Sequence, residues 1–215
     1  MAAAAAAMLT ACGLPSALGG GEGGTDGSRD TPREPPTELH PGLRDCAPQG
    51  SNDSLSLADS DLEAVTWSTP AGFYDVSSYY HEDNPVEDIG WIWVAAPESL
   101  PNRTLDVISV NYYTGVGWNE HTDNCDAVPL EAVKERLSRY RTQIGAKELS
   151  EAEMTEINGY PAIKQDLRLN DYDYEGYWLF STTQLLHVYC QWENPEMESE
   201  IRKGCSDLVS SLQVP

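Results

Sequence analysis

Three features of the chain predict an α+β domain in which helices cover an antiparallel β-sheet. Residues 148–192 carry four consecutive strand patterns separated by short turns. A helix pattern precedes them, with Leu130, Val133, Leu137, Tyr140 and Ile144 on one stripe. A second helix pattern follows them, with Met197, Ile201, Cys205, Leu208 and Leu212 on its stripe. The order is therefore strands, helix, four strands, helix, expected over residues 62–215 as one domain.

The elements follow from local chemistry. Residues 64–73 place Val65, Trp67 and Phe73 around Thr69-Pro70-Ala71-Gly72 and read as a first strand entering a turn. Residues 89–94 are apolar on both faces, which predicts a central strand. Residues 105–113 put Ile108, Val110 and Tyr112 on one face and Leu105, Val107 and Tyr113 on the other. The first helix starts near Pro129, suited to a first helical position, and Gly145 supplies its stop. Lys134, Arg136, Arg139 and Arg141 make it the one basic element, with a face expected to be solvated. A polar strand over residues 148–157 runs into the tight-turn pair Asn158-Gly159. Residues 160–169 continue it, with Ile163, Leu167 and Leu169 inward and Lys164, Asp166 and Arg168 outward. Residues 174–181 and 184–192 follow across a Thr182-Thr183 turn. Asn194 and Pro195 then open the last helix, whose Glu196, Glu198 and Glu200 suit the positive end of its dipole.

Leu9-Thr10-Ala11-Cys12 closes an alanine-rich apolar stretch and is followed by Gly13, the pattern read by a lipoprotein processing enzyme. Residues 1–11 are expected to be a removed signal segment, and Cys12 a lipidated N-terminus carrying acyl chains such as palmitate. No Lys or Arg occurs before Arg29. A signal segment opens with basic residues, so either the start lies upstream or the alanines are a low-complexity run. Residues 12–61 read as a disordered tether, rich in Gly, Pro, Ser and Thr from Gly13 to Pro48.

Setting Cys12 aside leaves Cys46, Cys125, Cys190 and Cys205, an even number outside any Cys-x-x-Cys spacing, which suits an oxidising compartment. Cys190 shares a strand face with Leu186, Val188 and Trp192, and Cys205 lies on the apolar helix stripe. A Cys190–Cys205 bond would staple helix to sheet. Cys46–Cys125 follows by elimination.

The chain carries 35 acidic and 13 basic residues, a formal charge of −22, and no Lys or Arg lies between Asp45 and Asn102. This excludes nucleic acid as a partner, since phosphate binding needs clustered cations. Membrane attachment falls to the acyl anchor alone. No stretch reaches the roughly 18 apolar residues that span a bilayer.

No Gly-x-Ser-x-Gly elbow, phosphate-cradling glycine loop or His-Glu-x-x-His occurs, so no catalytic residue, metal or cofactor is expected. His40 falls in the tether, and His187, beside Leu185 and Tyr189, reads as a hydrogen-bonded sheet histidine. His121, Asp123, Cys125 and Asp126 mix ligand types at no standard metal spacing. Asp171, Asp173 and Glu175 alternate at a hairpin tip, where a solvated turn outweighs a weak calcium site. Tyr and Trp dominate the aromatics, at 11 and 6 against 2 Phe. Trp91, Trp93 and Trp178 are expected in the core. Tyr79, Tyr80, Trp118, Tyr172 and Tyr174 fall at expected loops and form the candidate interaction surface.

The turn Asn158-Gly159-Tyr160-Pro161-Ala162, the meander after it, the strand ending at Cys190 and the helix carrying Cys205 and Leu208-Val209-Ser210-Ser211-Leu212 together resemble the LpqN-type actinobacterial cell-envelope lipoproteins. That resemblance implies a PsbP-like α/β/α sandwich on the outer face of the cell membrane. It also implies a non-catalytic binding or adaptor module for an envelope protein or an amphipathic envelope lipid or glycan. The alternatives are a cell-wall hydrolase and a calcium-holding acidic surface protein.

Overall fold

The computed structural model describes residues 53–57, 60–100, 104–118 and 127–215. The chain divides into two units, Met1–Leu39 and His40–Pro215, and every described residue belongs to the second.

Ten strands and two α-helices make up the described part. The strands are β1 (Ser54–Ser56), β2 (Phe73–Asp75), β3 (Asp88–Pro97), β4 (Val107–Thr114), β5 (Ala127–Pro129), β6 (Lys147–Glu148), β7 (Glu153–Ile157), β8 (Tyr160–Arg168), β9 (Asp173–Phe180) and β10 (Gln184–Trp192). The helices are α1 (Leu130–Ile144) and α2 (Glu198–Ser211). An eight-stranded antiparallel sheet runs in the order β2-β3-β4-β10-β9-β8-β6, with β7 also paired to β8. Its two faces carry separate cores, one under each helix, so the α+β class is observed with α2 and α1 as the outer layers.

The turn chemistry sets much of this register. Asn158 (φ 50°) and Gly159 (φ 86°) both adopt left-handed backbone, as a two-residue hairpin turn between β7 and β8 requires. Asn158 also donates to Ser210 O (3.1 Å) and Leu212 O (2.6 Å), tying the hairpin to the end of α2. Gly145 (φ 72°) caps α1, and its N–H and that of Ala146 return to Thr142 O and Arg141 O. Asn194 accepts from Glu196 N (3.0 Å) and starts a single 3-10 turn that leads into α2.

On the α2 side, Ile201, Cys205, Leu208 and Leu212 are buried against Ile108, Leu186, Val188 and Cys190. Gly204 lets the helix lie close, because a Cβ there would stand 2.5 Å from Phe73 Cε2 and 2.8 Å from Ile108 Cδ1. Cys190 and Cys205 are disulfide-bonded, with Cα atoms 5.8 Å apart. On the α1 side, Val133, Leu137 and Tyr140 pack over Ile163, Leu167, Phe180 and Leu185.

Five expectations need correction. First, structure is present upstream of Leu62: β1 pairs with β5 and buries Leu55 and Leu57, within the stretch 12–61 expected to be tether. Two alternating leucines in a serine-rich stretch carry too little pattern to announce a strand. Second, β3 is not central. It lies next to the edge, and the three-residue β2 covers only Ala95–Pro97, so Ile89 is exposed and Trp91 and Trp93 are half-buried beside Trp67.

Third, the strand expected over residues 64–73 is a 3-10 turn (Leu62–Ala64) followed by one bridge from Thr66 to Gln213. Fourth, the strand expected over residues 148–157 is broken. Leu149 N and Ser150 N both donate to Asp166 O, and the buried Gln165 amide fills the break by donating to Ser150 O (3.0 Å). Fifth, the basic face of α1 is partly internal. Arg136 is buried against Glu87, Tyr140 and Gly117 O, and Arg141 pairs with Glu148 at 2.6 Å.

Candidate binding cleft

Alternation along two neighbouring strands builds the site. On β10, Leu186, Val188 and Cys190 point to the α2 core, which leaves His187, Tyr189 and Gln191 on the α1 face. On β4, Ile108, Val110 and Tyr112 do the same and leave Val107, Ser109, Asn111 and Tyr113. The register pairs His187 with Asn111 and Tyr189 with Ser109. Helix α1 stops at Gly145 before covering this polar, aromatic floor. A cleft of about 460 Å³ remains, walled by the Tyr79–Asn84 segment on one side and by Ile144, Leu169 and Tyr172 on the other. A narrow hollow of about 50 Å³ adjoins it and reaches Tyr113, Tyr174 and His187.

The floor is ordered by hydrogen bonds. The Ser109 hydroxyl lies 2.7 Å from Asn111 Oδ1, which turns the Asn111 amide nitrogen toward Glu82 Oε2 (2.9 Å) and Tyr113 Oη (3.2 Å). Tyr189 Oη is 3.5 Å from the same Glu82 oxygen, and Asn84 N donates to Oε1 at 3.2 Å. The aromatic rings are in mutual contact. Tyr174 lies 6.4 Å from Tyr172, 5.8 Å from Tyr189 and 6.0 Å from His187, measured between centroids. Gly176 makes room for the Tyr174 and Trp178 rings, since a Cβ there would meet Trp178 Cη2 at 2.5 Å and Tyr174 Cε2 at 3.0 Å.

Burial decides the protonation states. It pushes the Tyr172 hydroxyl up to about 12, helped by the Glu82 and Asp171 charges. Tyr113, Tyr174 and Tyr189 rise further for the same reason, each with a contribution from Glu82. All four phenols are therefore neutral across the physiological range. Burial also lowers His187 to about 3, so its imidazole is neutral too. Its Nε2 is buried without a hydrogen-bond partner, which corrects the expectation of a hydrogen-bonded sheet histidine. The ring is held by aromatic contact instead.

The candidate interaction residues divide. Tyr79 is exposed at the mouth, and Tyr80 and Tyr172 are half-buried in the walls, with Tyr80 Oη donating to Thr104 O at 2.7 Å. Tyr174 is buried in the floor and Trp118 is buried away from it, so neither is a loop surface. Trp118 folds back under α1, donating to Ser181 O (3.2 Å), meeting Phe180 edge-on and lying beneath the Arg136 guanidinium.

Glu82, Ser109, Asn111 and Tyr189 were missed as site residues. For Ser109, Asn111 and Tyr189 the signal was present in the polar side chains at every second position of two otherwise apolar strands; Glu82 lies between strands and carried no such pattern.

Asp171, Asp173 and Glu175 do not converge. Arg168 takes Asp173 at 2.6 Å, Lys164 and Arg202 take Glu175, and no metal-ligand group of three forms among the described residues. Cys12, Cys46, Cys125, His40, His121, Asp123 and Asp126 lie outside the described residues. Among the described residues no helix is long and apolar enough to cross a membrane.

No family model matches the chain, and no curated protein matches it. Among solved structures, it is similar to the solution structure of cyanobacterial PsbP (CyanoP) from Synechocystis sp. PCC 6803. That similarity has 14% identity and a TM-score of 0.46, over 80% of this chain and 99% of that one. A crystal structure from Bacteroides thetaiotaomicron VPI-5482 follows at 6% identity and a TM-score of 0.38, over 70% of this chain and 45% of that one.

Ser109 Oγ is engaged by Asn111 and Trp93 O, and His187 Nε2 meets no hydroxyl or carboxylate. No nucleophile–base pair exists among these groups.

Proposed function

We propose that the chain is a non-catalytic, membrane-tethered binding module of the cell envelope, with the tyrosine-lined cleft as its ligand site. The observation that carries this reading is the uncovered floor of β4 and β10, concave, aromatic and polar where the rest of that face is packed under α1. The Leu9–Cys12 run and the resemblance to LpqN-type lipoproteins support a lipid anchor at Cys12 and a position on the outer face of the membrane. The partner is an envelope protein or an amphipathic envelope lipid or glycan that inserts a group into the cleft.

Titrating fractionated envelope extract into the acylated protein, followed by amide NMR shifts, tests the site. Shifts are expected at residues lining the cleft and should vanish in Ile92→Trp, which fills it. Shifts confined to another face, or unchanged by Ile92→Trp, would overturn the reading.

A further inference from the structure

We propose that the cleft recognises a primary ammonium group, seated among Tyr172, Tyr174 and Tyr189 against the Glu82 carboxylate and reaching His187 Nε2. The inference rests on the cleft being the ligand site and names the chemistry it selects.

Charge is the first argument. Glu82, Asp83 and Asp171 line the cleft and no Lys or Arg does. Elsewhere in the fold, half-buried and buried carboxylates are matched by cations: Glu87 by Arg136, Asp166 by Arg202, Glu175 by Lys164 and Arg202. Two others lack a cation but are otherwise engaged: buried Asp106 takes two backbone N–H groups, and half-buried Glu200 accepts from the Ser99 hydroxyl. Glu82 has only the Asn111 amide, the Tyr189 hydroxyl and the Asn84 N–H, and no basic side chain within ion-pair reach among the described residues. It is a half-buried negative charge that lacks a counterion.

The rings supply the second argument. The negative faces of aromatic rings attract cations, most strongly where water is excluded. Tyr113, Tyr172, Tyr174 and Tyr189 line the same narrow hollow as Glu82, so carboxylate and aromatic rings border one volume.

The third is the unpartnered Nε2 of His187, on a residue only 6% exposed that lines the narrow hollow. In the Nδ1–H form of the ring that nitrogen carries a lone pair, which an ammonium N–H satisfies and a quaternary ammonium cannot. The hollow's volume of about 50 Å³ suits a –NH₃⁺ head on a slender chain, not a trimethylated one.

Pentylamine, pentanol, pentanoate and pentyltrimethylammonium are titrated into the acylated chain, with tryptophan fluorescence as readout, because the Trp178 ring stacks on His187. Pentylamine is expected to bind saturably and about ten-fold more tightly than the other three, with a similar loss in Glu82→Gln. Equal binding of pentanol, or unchanged binding in Glu82→Gln, overturns the cation assignment while leaving the cleft as a ligand site. Pentylamine binding that survives Leu169→Trp, at a residue lining both the cleft and the hollow, overturns the placement there. Absence of saturable pentylamine binding overturns the inference, and the extract titration then decides the cleft reading separately. The amine-against-alcohol comparison on the wild type needs no variant, so it stands even where Glu82→Gln does not fold.

Discussion

His187 lies flat on Trp178, with ring centroids 4.7 Å apart and planes inclined by 14°. The stack fixes an ionisable ring inside the aromatic floor of the cleft, where charging it would leave a cation with no water around it. A pH dependence follows. The folded-state pKa, near 3, is depressed below the 6.5 of a free imidazole. The unfolded chain therefore binds a proton that the folded chain refuses. The stabilisation is complete above pH 6.5 and is lost progressively as the pH falls toward 3, by roughly 4–5 kcal/mol in total. Urea titrations at several pH values in that window should show His187→Phe flatter than wild type; parallel pH profiles would refute the buried neutral ring.

The disulfide between Cys190 and Cys205 closes a short loop, with a sequence separation of 15. Constraint of the unfolded chain is worth about 3 kcal/mol at that length. The Cys190→Ala/Cys205→Ala pair should lose about that much in chemical denaturation, and reductant should then leave the contribution of this bridge at zero.

The β7–β8 turn allows backbone and side-chain effects to be separated. Asn158→Gly keeps the positive φ but removes the bonds to Ser210 O and Leu212 O, and should cost about 1 kcal/mol. Gly159→Ala keeps those bonds but places a Cβ at φ 86°, costing roughly 1–2 kcal/mol. Equilibrium unfolding of each single variant measures these losses, and the double variant measures how far the two adjacent sites couple.

Arg136 joins α1 to the segments on either side of β3 and β4 through Glu87 and Gly117 O. Removing one partner of a buried pair strands the other, so Arg136→Met should cost about 3–5 kcal/mol, whereas Arg136→Met with Glu87→Gln should cost less than Arg136→Met alone. A double-mutant cycle measures the difference, and strict additivity would show that the pair is solvated.

Much of the framework was readable because it depends on near neighbours. Strand β10 runs from Gln184 to Trp192, the bounds its alternation indicated, and Asn158-Gly159 turns where that dipeptide must. The stripe on α1 buries Val133, Leu137 and Tyr140, and Cys190 and Cys205 meet because each lies on an apolar face. Errors came where a residue's fate depended on strands far away in the chain. Trp91 and Trp93 carry a core pattern yet remain half-buried, because their outer neighbour β2 is three residues long. Trp118 and Tyr174, read as loop residues, are buried by α1 and by the walls of the cleft.

Periodicity, turn residues and cysteine placement in the chain itself determined the antiparallel meander, the two covering helices and the Cys190–Cys205 bridge, since these features act over a few residues or along one face. The cleft was decided only in three dimensions. It exists because β10 pairs with β4, bringing His187 and Tyr189 opposite Asn111 and Ser109, and because α1 ends at Gly145 before it can cover them. No local pattern states which strands become neighbours or where a helix runs out over a sheet, and those two facts turn scattered polar residues into a site.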